Sequence, residues 1–206
     1  MTKKPLKFVV VGDGGCGKTS LIMVQAGGEF TDNYIPTAFD DYAIEALING
    51  KTKVITVCDT AGEDDYNSLR PLSYPDADVF IVCYSVERPG SIKSIREKWL
   101  PEIKKFCPEV PILIIGNKKD IRCERKALTT SSHDKIKDSN FNGLVDIDEA
   151  SALACEFTPH KVIECSAKTK EGVRQVFDTA IRVASSHRSK KNNRVLSSIM
   201  KLKLVF

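Results

Sequence analysis

Short apolar runs alternate with amphipathic stretches along almost the whole chain. Apolar residues recur from Val173 to Ala184 at the spacing i, i+3, i+4, i+7, i+8 and i+11, which predicts a helix. Asn49-Gly50, between two of the runs, is a strong hairpin signal. Six runs have the length and composition of strands: residues 6–11, 43–48, 54–58, 79–84, 112–115 and 162–165.

This alternation predicts an α/β fold, a doubly wound, mostly parallel six-stranded sheet with one antiparallel edge strand. In open sheets of this kind, ligands bind at the carboxyl ends of the strands. Motifs that directly follow a strand therefore carry most of the functional information.

Composition narrows the class of protein. The 206 residues are enough for one domain with a tail, and the net charge is +4. No acidic residue follows Asp178, whereas residues 182–203 contain seven Lys and Arg. The chain up to Ala180 holds 24 Lys and Arg against 27 Asp and Glu, which argues against a nucleic-acid-binding fold.

Cysteine usage and the termini indicate the compartment. Seven cysteines are scattered without C-x-x-C spacing, which is typical of a reducing, cytoplasmic setting and predicts no metal cluster. No apolar run approaches the ~18 residues that a membrane span needs. The N-terminus has neither the apolar region of a signal peptide nor a glycine at position 2 for myristoylation.

The segment GDGGCGKT after the first strand is a complete G-x-x-x-x-G-K-[ST] motif. Its glycines let backbone N–H groups wrap a β-phosphate, and the following helix adds its dipole. We expect Lys18 to reach the β- and γ-phosphate oxygens and the Thr19 hydroxyl to ligate Mg²⁺. The predicted nucleotide contacts here are Gly12, Asp13, Gly14, Gly15, Cys16, Gly17, Lys18, Thr19 and Ser20. We interpret Cys16 as a small spacer, with redox sensing as the alternative, because helix N-termini lower thiol pKa values.

The motif Asn117-Lys118-x-Asp120 follows the fifth strand. The Asp120 carboxylate can accept hydrogen bonds from N1–H and the exocyclic amine of guanine, whereas adenine offers no such pair of donors. Ser166-Ala167-Lys168 follows the last strand and supports the same interpretation. Both motifs argue against a P-loop kinase or ATPase.

With these motifs, the chain resembles a small GTPase of the Ras superfamily, and within it the Rho family. The resemblance rests on GDGGCGKT, on YIPT at residues 34–37 and on LRPLSY at 69–74, which is the most family-specific piece. It covers roughly residues 6–184.

The resemblance implies a P-loop GTPase domain that binds GTP or GDP with Mg²⁺. Thr37 would ligate Mg²⁺ and contact the γ-phosphate, Asp59 would hold Mg²⁺ through water, and the N–H of Gly62 would sense the γ-phosphate. Phe30 would pack on the guanine ring, and Tyr34 would cover the phosphates.

The resemblance also implies partners. Residues 34–42 and 62–74 would bind effectors, and exchange factors and GTPase-activating proteins would act on the same monomeric switch. By family likeness the output would concern the cytoskeleton and cell shape. Gly14 and Gly15 leave room beside the γ-phosphate for an arginine that an activator inserts.

The implied catalytic set is Lys18, Thr37, Gly62 and Glu63, and its last member departs from the family, because hydrolysing members carry glutamine there. Glutamate keeps an acceptor for the attacking water but loses a donor and adds negative charge near the γ-phosphate. We expect slow, activator-insensitive hydrolysis. The alternative is a GTP-locked module that recruits effectors constitutively.

Two further departures concern partners and membranes. Cys58 stands where many Rho proteins have an aromatic residue that helps to choose exchange factors, with simple edge packing as the alternative. No cysteine follows Cys165, so we expect no prenylation. We predict a GTPase domain at residues 1–184, with an insert-like excursion at 123–145 of unassigned role, and a basic, partly apolar tail at 185–206. The tail could bind an anionic membrane surface, remain solvated or dock on a protein.

Overall fold

Six strands form one sheet in the part of the chain that the structure describes. The computed structural model describes residues 4–32, 37–48, 50–131, 143–158 and 160–203, without the side chains of 128–131 and 194–203. The strand order is β2-β3-β1-β4-β5-β6, with β2 antiparallel to β3 and all other pairs parallel, which confirms the predicted fold class. The strands are β1 (Leu6–Gly12), β2 (Phe39–Ile48), β3 (Lys51–Thr60), β4 (Val79–Ser85), β5 (Ile112–Asn117) and β6 (Ile163–Glu164).

The edge hairpin is longer than its apolar runs predict. β2 and β3 pair from Ile48 opposite Lys51 to Phe39 opposite Thr60, although most of the side chains of β2 are not buried. The pairing comes from backbone hydrogen bonds, which exposed polar residues make as well as apolar ones. Gly50 has a φ of 72°, as the hairpin turn requires, and Asn49 lies outside the described residues.

Helices cover both faces of the sheet. They are α1 (Lys18–Gln25), α2 (Pro89–Ser94), α3 (Leu100–Phe106), α4 (Asp120–Ser131), α5 (Ile147–Phe157) and α6 (Val173–Lys203), with short 3₁₀ turns at Asp64–Tyr66 and Arg70–Ser73. Alternate residues of β1 face opposite cores: Phe8 and Val10 pack with α1 and α6, and Val9 and Val11 with α2, α3 and α5.

A π-helical turn, Ile95–Trp99, joins α2 to α3. Pro101 lies in the first turn of α3 and has no backbone N–H to donate to the residue four positions before it. The wider turn accommodates this missing bond. It also buries Trp99 completely, and the indole N–H donates to Oδ1 of Asp13 at 2.8 Å.

α6 continues without a break past residue 184, where the tail is predicted to begin. Arg188 on this helix forms an ion pair with the buried Asp78, with 2.8 Å between Nε and Oδ1. It also donates to the carbonyl oxygens of Lys4 and Pro5. The start of the predicted tail is therefore held against the sheet.

Candidate nucleotide-binding site

The loop between β1 and α1 carries the G-x-x-x-x-G-K-[ST] motif, residues 12–19, and is called the phosphate loop below; it lies at the carboxyl edge of the sheet. Nζ of Lys18 donates to the carbonyl oxygens of Gly12 at 2.8 Å and Asp13 at 3.1 Å, and the lysine is buried. The asparagine of N-K-x-D braces the loop from the other side, since Nδ2 of Asn117 donates to the Gly17 carbonyl at 2.9 Å. Two motifs that are a hundred residues apart in sequence thus form one structure.

A cleft of about 1060 Å³ opens above this loop. This volume fits a ligand of nucleotide size. The predicted site residues that line it are Gly14, Gly15, Gly17, Lys18, Thr19, Ser20, Phe30, Thr37, Gly62, Glu63, Asn117, Lys118, Asp120, Ala167 and Lys168.

Five predicted site residues do not line the cleft but support its wall. Gly12 and Asp13 accept from Lys18, Cys16 and Asp59 are buried, and the Ser166 hydroxyl donates to Oδ1 of Asp120 at 2.5 Å. Tyr34, together with residues 35 and 36 of the expected effector surface, lies outside the described residues.

Oxygen atoms from three separate segments converge at the phosphate end of the cleft. Oγ1 of Thr19 lies 2.5 Å from Oδ2 of Asp59 and 2.8 Å from Oγ1 of Thr37. Oδ1 of Asp59 is buried and has no hydrogen-bond partner among the described residues. Burial raises the pKa of Asp59, and the Thr19 hydrogen bond and the Lys18 charge oppose that shift. An orphaned carboxylate oxygen beside two hydroxyls suits a hard cation such as Mg²⁺, so these residues fit the predicted metal.

The loop that begins at the end of β3 approaches the phosphate loop closely at Gly62. A Cβ atom at this position would lie 2.5 Å from the Gly12 carbonyl oxygen, well inside van der Waals contact. Only glycine allows the two backbones to come this near. The N–H of Gly62 is therefore part of the same wall as the phosphate loop.

Glu63 is exposed at the rim of the cleft, and the buried Arg70 supports the backbone around it. The Arg70 guanidinium donates to the Ala61 carbonyl at 2.8 Å and to the Glu63 carbonyl at 3.4 Å. The same group pairs with Glu102 on α3 at 2.8 Å. α3 thus fixes the backbone of the segment that carries Glu63.

The base end of the cleft has supports that no sequence motif indicated. Lys118 forms an ion pair with Glu87, which follows β4. Arg122 pairs with Glu164 and donates to the Val145 carbonyl at 2.7 Å, which ties the first turn of α4 to β6. Glu87 lies two residues beyond the end of β4, so the rule that ligands bind beyond strand ends could have identified it.

The cysteines of the site are buried packing residues. Cys16 is completely buried, and burial raises the pKa of its thiol, against the alternative of a redox sensor at a helix N-terminus. Cys58 is also buried, and burial together with a hydrogen bond to Asp41 raises its pKa to about 12. Cys58 thus packs in the core opposite Val9 of β1 and presents no thiol to a partner.

The expected partner surface presents exposed apolar side chains. Leu69 and Leu72, in the run that resembles the Rho family most, are 57% and 75% exposed. Across the described part of the chain, no helix is long and apolar enough to cross a membrane.

Comparisons with known proteins agree with this geometry. The family model described as "Ras family" matches residues 7–186, a span that includes every residue lining the cleft. Curated proteins named "Rho-related GTP-binding protein RhoB" from Homo sapiens, Mus musculus and Rattus norvegicus are each 46% identical to the chain over 187 residues. The match covers 91% of this chain and 92% of each relative.

Proposed function

The chain belongs to the Ras family and, within it, to the Rho-family small GTPases; on this premise we propose a GTP/GDP signalling switch whose GTP state is long-lived. One observation carries the proposal. The phosphate loop, the Thr19–Thr37–Asp59 cluster and the N-K-x-D motif all lie at the same cleft. Each motif alone recognises one part of a nucleotide, and together they span a guanine nucleoside triphosphate.

Different residues of the cleft bind different parts of the nucleotide. Lys18 and the N–H groups of the phosphate loop bind the β- and γ-phosphates. Phe30 packs against the guanine ring, and the Asp120 carboxylate accepts hydrogen bonds from its edge. When bound, Mg²⁺ neutralises charge on the phosphate oxygens. Thr19, Thr37 and Asp59 would hold it.

Glu63 sets the rate of hydrolysis. A glutamine side chain at this position orients the attacking water and donates a hydrogen bond toward the transition state, while a carboxylate can do only the former. Loss of one such donor costs roughly 10²–10³ in rate. Lys18, Thr37 and Gly62 still line the cleft, so binding is retained while hydrolysis is slow and insensitive to an activator.

Switching follows from the two loops that border the phosphate end. Residues 34–42 and 62–74 are ordered by the γ-phosphate and Mg²⁺ and released when the phosphate is lost. Leu69 and Leu72 provide apolar area for effectors, exchange factors and activators that read this change. The chain works as a monomer, and by family resemblance its output concerns the actin cytoskeleton.

The C-terminal segment adds a peripheral membrane contact to this cytoplasmic protein. The GTPase domain comprises residues 1–184 and the tail 185–206, although α6 passes through the boundary and Arg188 is docked on Asp78. Lys190 and Lys191 beyond it are exposed. Each basic residue near an anionic leaflet contributes about 1 kcal/mol. Cosedimentation with phosphatidylserine vesicles, against neutral vesicles, tests this contact, and equal pelleting with both would refute it.

The nucleotide content of the purified protein tests the proposal as a whole. We expect bound guanine nucleotide with a large GTP fraction, and binding of fluorescent GTP that unlabelled GTP displaces but ATP does not. A preparation that carries only GDP would contradict the long-lived GTP state. Displacement by ATP at the same concentration would contradict the guanine-specific site.

A further inference from the structure

Arg88 stands beside the phosphate loop, outside every motif that predicts the nucleotide site. It lies three residues beyond the end of β4, where its N–H donates to the Ser85 carbonyl at 3.0 Å and its own carbonyl accepts from Ser91. The backbone of Arg88 is therefore fixed in the turn that leads into α2. Its side chain lines the nucleotide cleft.

The guanidinium of Arg88 is docked on the phosphate loop, in the wall of the cleft. One of its N–H groups donates to the Gly14 carbonyl at 2.8 Å. Within the described residues no carboxylate lies at ion-pair distance from it. The neighbouring Glu87 is paired with Lys118, and the charge of Arg88 only helps to lower the pKa of that carboxyl group. An arginine has five N–H donors, so the positive charge and most of the donors remain available to a ligand.

Gly15 makes room for this arrangement. A Cβ atom on Gly15 would lie 2.9 Å from a terminal nitrogen of Arg88, and the φ of 71° is itself unfavourable for any side chain. The guanidinium thus occupies the space beside the loop that a larger residue at position 15 would fill. Sequence places Gly15 and Arg88 more than seventy residues apart, but they fit each other directly.

We propose that Arg88 is a further phosphate-binding residue of this nucleotide site, which contacts the terminal phosphates and slows their release. The inference rests on the proposed function, because it requires a bound guanine nucleotide. Phosphate oxygens are the acceptors that the planar guanidinium fork binds best. Lys18 covers the phosphates from the buried side of the loop and Arg88 from its exposed side.

The position of Arg88 predicts a preference for the triphosphate. The guanidinium rests on the Gly14 carbonyl, and the sequence motif predicts that this part of the loop lies beside the γ-phosphate. A positive charge there also offsets the negative charge that Glu63 brings to the same cleft. The effect of Arg88 is therefore larger for GTP than for GDP, and salt weakens it because the side chain is exposed.

The test measures release of fluorescent GDP and of a fluorescent non-hydrolysable GTP analogue from the full chain with Mg²⁺, after a chase with unlabelled nucleotide. Arg88→Ala releases the GTP analogue roughly tenfold faster and GDP less than threefold faster. Arg88→Lys, which keeps the charge but not the fork, falls between. The matched control is Arg96→Ala, an exposed arginine paired with Glu156 outside the cleft lining, and its release rates equal those of the wild type.

Two results overturn the inference. One is equal release rates for Arg88→Ala and Arg96→Ala. The other is equal acceleration of GDP and GTP analogue with an unchanged salt dependence, which would mean that Arg88 only supports the loop. A wild-type chain that binds neither fluorescent nucleotide refutes the proposed function itself, and that result appears before any variant is compared.

Discussion

The hydroxyl of Thr19 donates a 2.5 Å hydrogen bond to Oδ2 of Asp59 across 40 residues of sequence. This contact joins the phosphate loop to the loop that carries Gly62 and Glu63. The other carboxylate oxygen of Asp59 is buried without a partner, which prepares the pair for a hard cation. In the proposed function, the loop that binds the phosphates and the loop that senses the γ-phosphate are therefore joined by these two residues.

Removal of the Thr19 hydroxyl tests whether this residue helps to bind Mg²⁺. We expect Thr19→Ala to weaken Mg²⁺ binding roughly 10- to 100-fold. Addition of EDTA then accelerates GDP release strongly in the wild type but little in the variant. The control is Thr52→Ala, an exposed threonine on β3. If EDTA accelerates release equally in the wild type and Thr19→Ala, the metal assignment is wrong.

Asp120→Asn tests the choice of base. The amide loses one acceptor for the guanine edge and gains a donor, which suits the second carbonyl group of xanthine. Affinity for GDP falls roughly 100-fold and that for xanthosine diphosphate rises in competition binding. Ser166→Ala removes only the hydroxyl that orients the carboxylate, so it causes a smaller loss without the change of base. Unchanged guanine selectivity in Asp120→Asn would contradict the assignment.

Glu102 makes stability depend on pH. Burial alone would raise the pKa of Glu102, but hydrogen bonds from Arg70 and Tyr74 outweigh it and hold the pKa below its ordinary value of 4.5. The folded state thus favours the carboxylate, and this stabilisation is present above pH 4.5 and lost as the pH falls through the lower folded value. We expect Glu102→Gln to unfold at lower urea concentration than the wild type at pH 7. The difference shrinks steadily below pH 4.5, and a constant difference would contradict this account.

Arg188 holds the middle of α6 against the sheet. Its loss leaves Asp78 buried without its charged partner, which costs about 3 kcal/mol of unfolding free energy. Truncation after residue 184 produces a similar loss, whereas Lys190→Ala, an exposed basic residue on the same helix, changes little. Urea unfolding measures all three. A truncated chain as stable as the wild type would mean that the domain ends where the sequence pattern predicts.

The central strands and the nucleotide motifs could be read from the sequence. Residues 6–11 and 79–84 were predicted within one residue of β1 and β4, because parallel strands buried on both faces appear as unbroken apolar runs. The phosphate loop and N-K-x-D are contiguous, and each is defined by its own chemistry. The edge hairpin was underestimated, since its ladder depends on backbone pairing and not on side-chain type.

Supports that join distant segments could not be predicted in this way. Arginine and glutamate are common on protein surfaces, and no local sequence pattern distinguishes a residue that makes such a contact from a solvated charge. The contacts in question are those of Arg88 with the Gly14 carbonyl, Arg70 with Glu102 and Arg122 with Glu164. They become recognisable only when the fold brings their partners together. The sequence predicts where a nucleotide binds, and the structure adds the ion pairs and hydrogen bonds that support that cleft.

The rate of GTP hydrolysis tests the central claim most directly. A single turnover of labelled GTP is followed in the wild type, in Glu63→Gln and in Asp65→Asn, which removes an exposed carboxylate two residues away. We predict that Glu63→Gln hydrolyses GTP roughly 100- to 1000-fold faster and gains acceleration from a Rho-type activating protein. The wild type and Asp65→Asn stay slow with and without that activator. Equal rates in the wild type and Glu63→Gln, each accelerated alike by the activator, would contradict a long-lived GTP state.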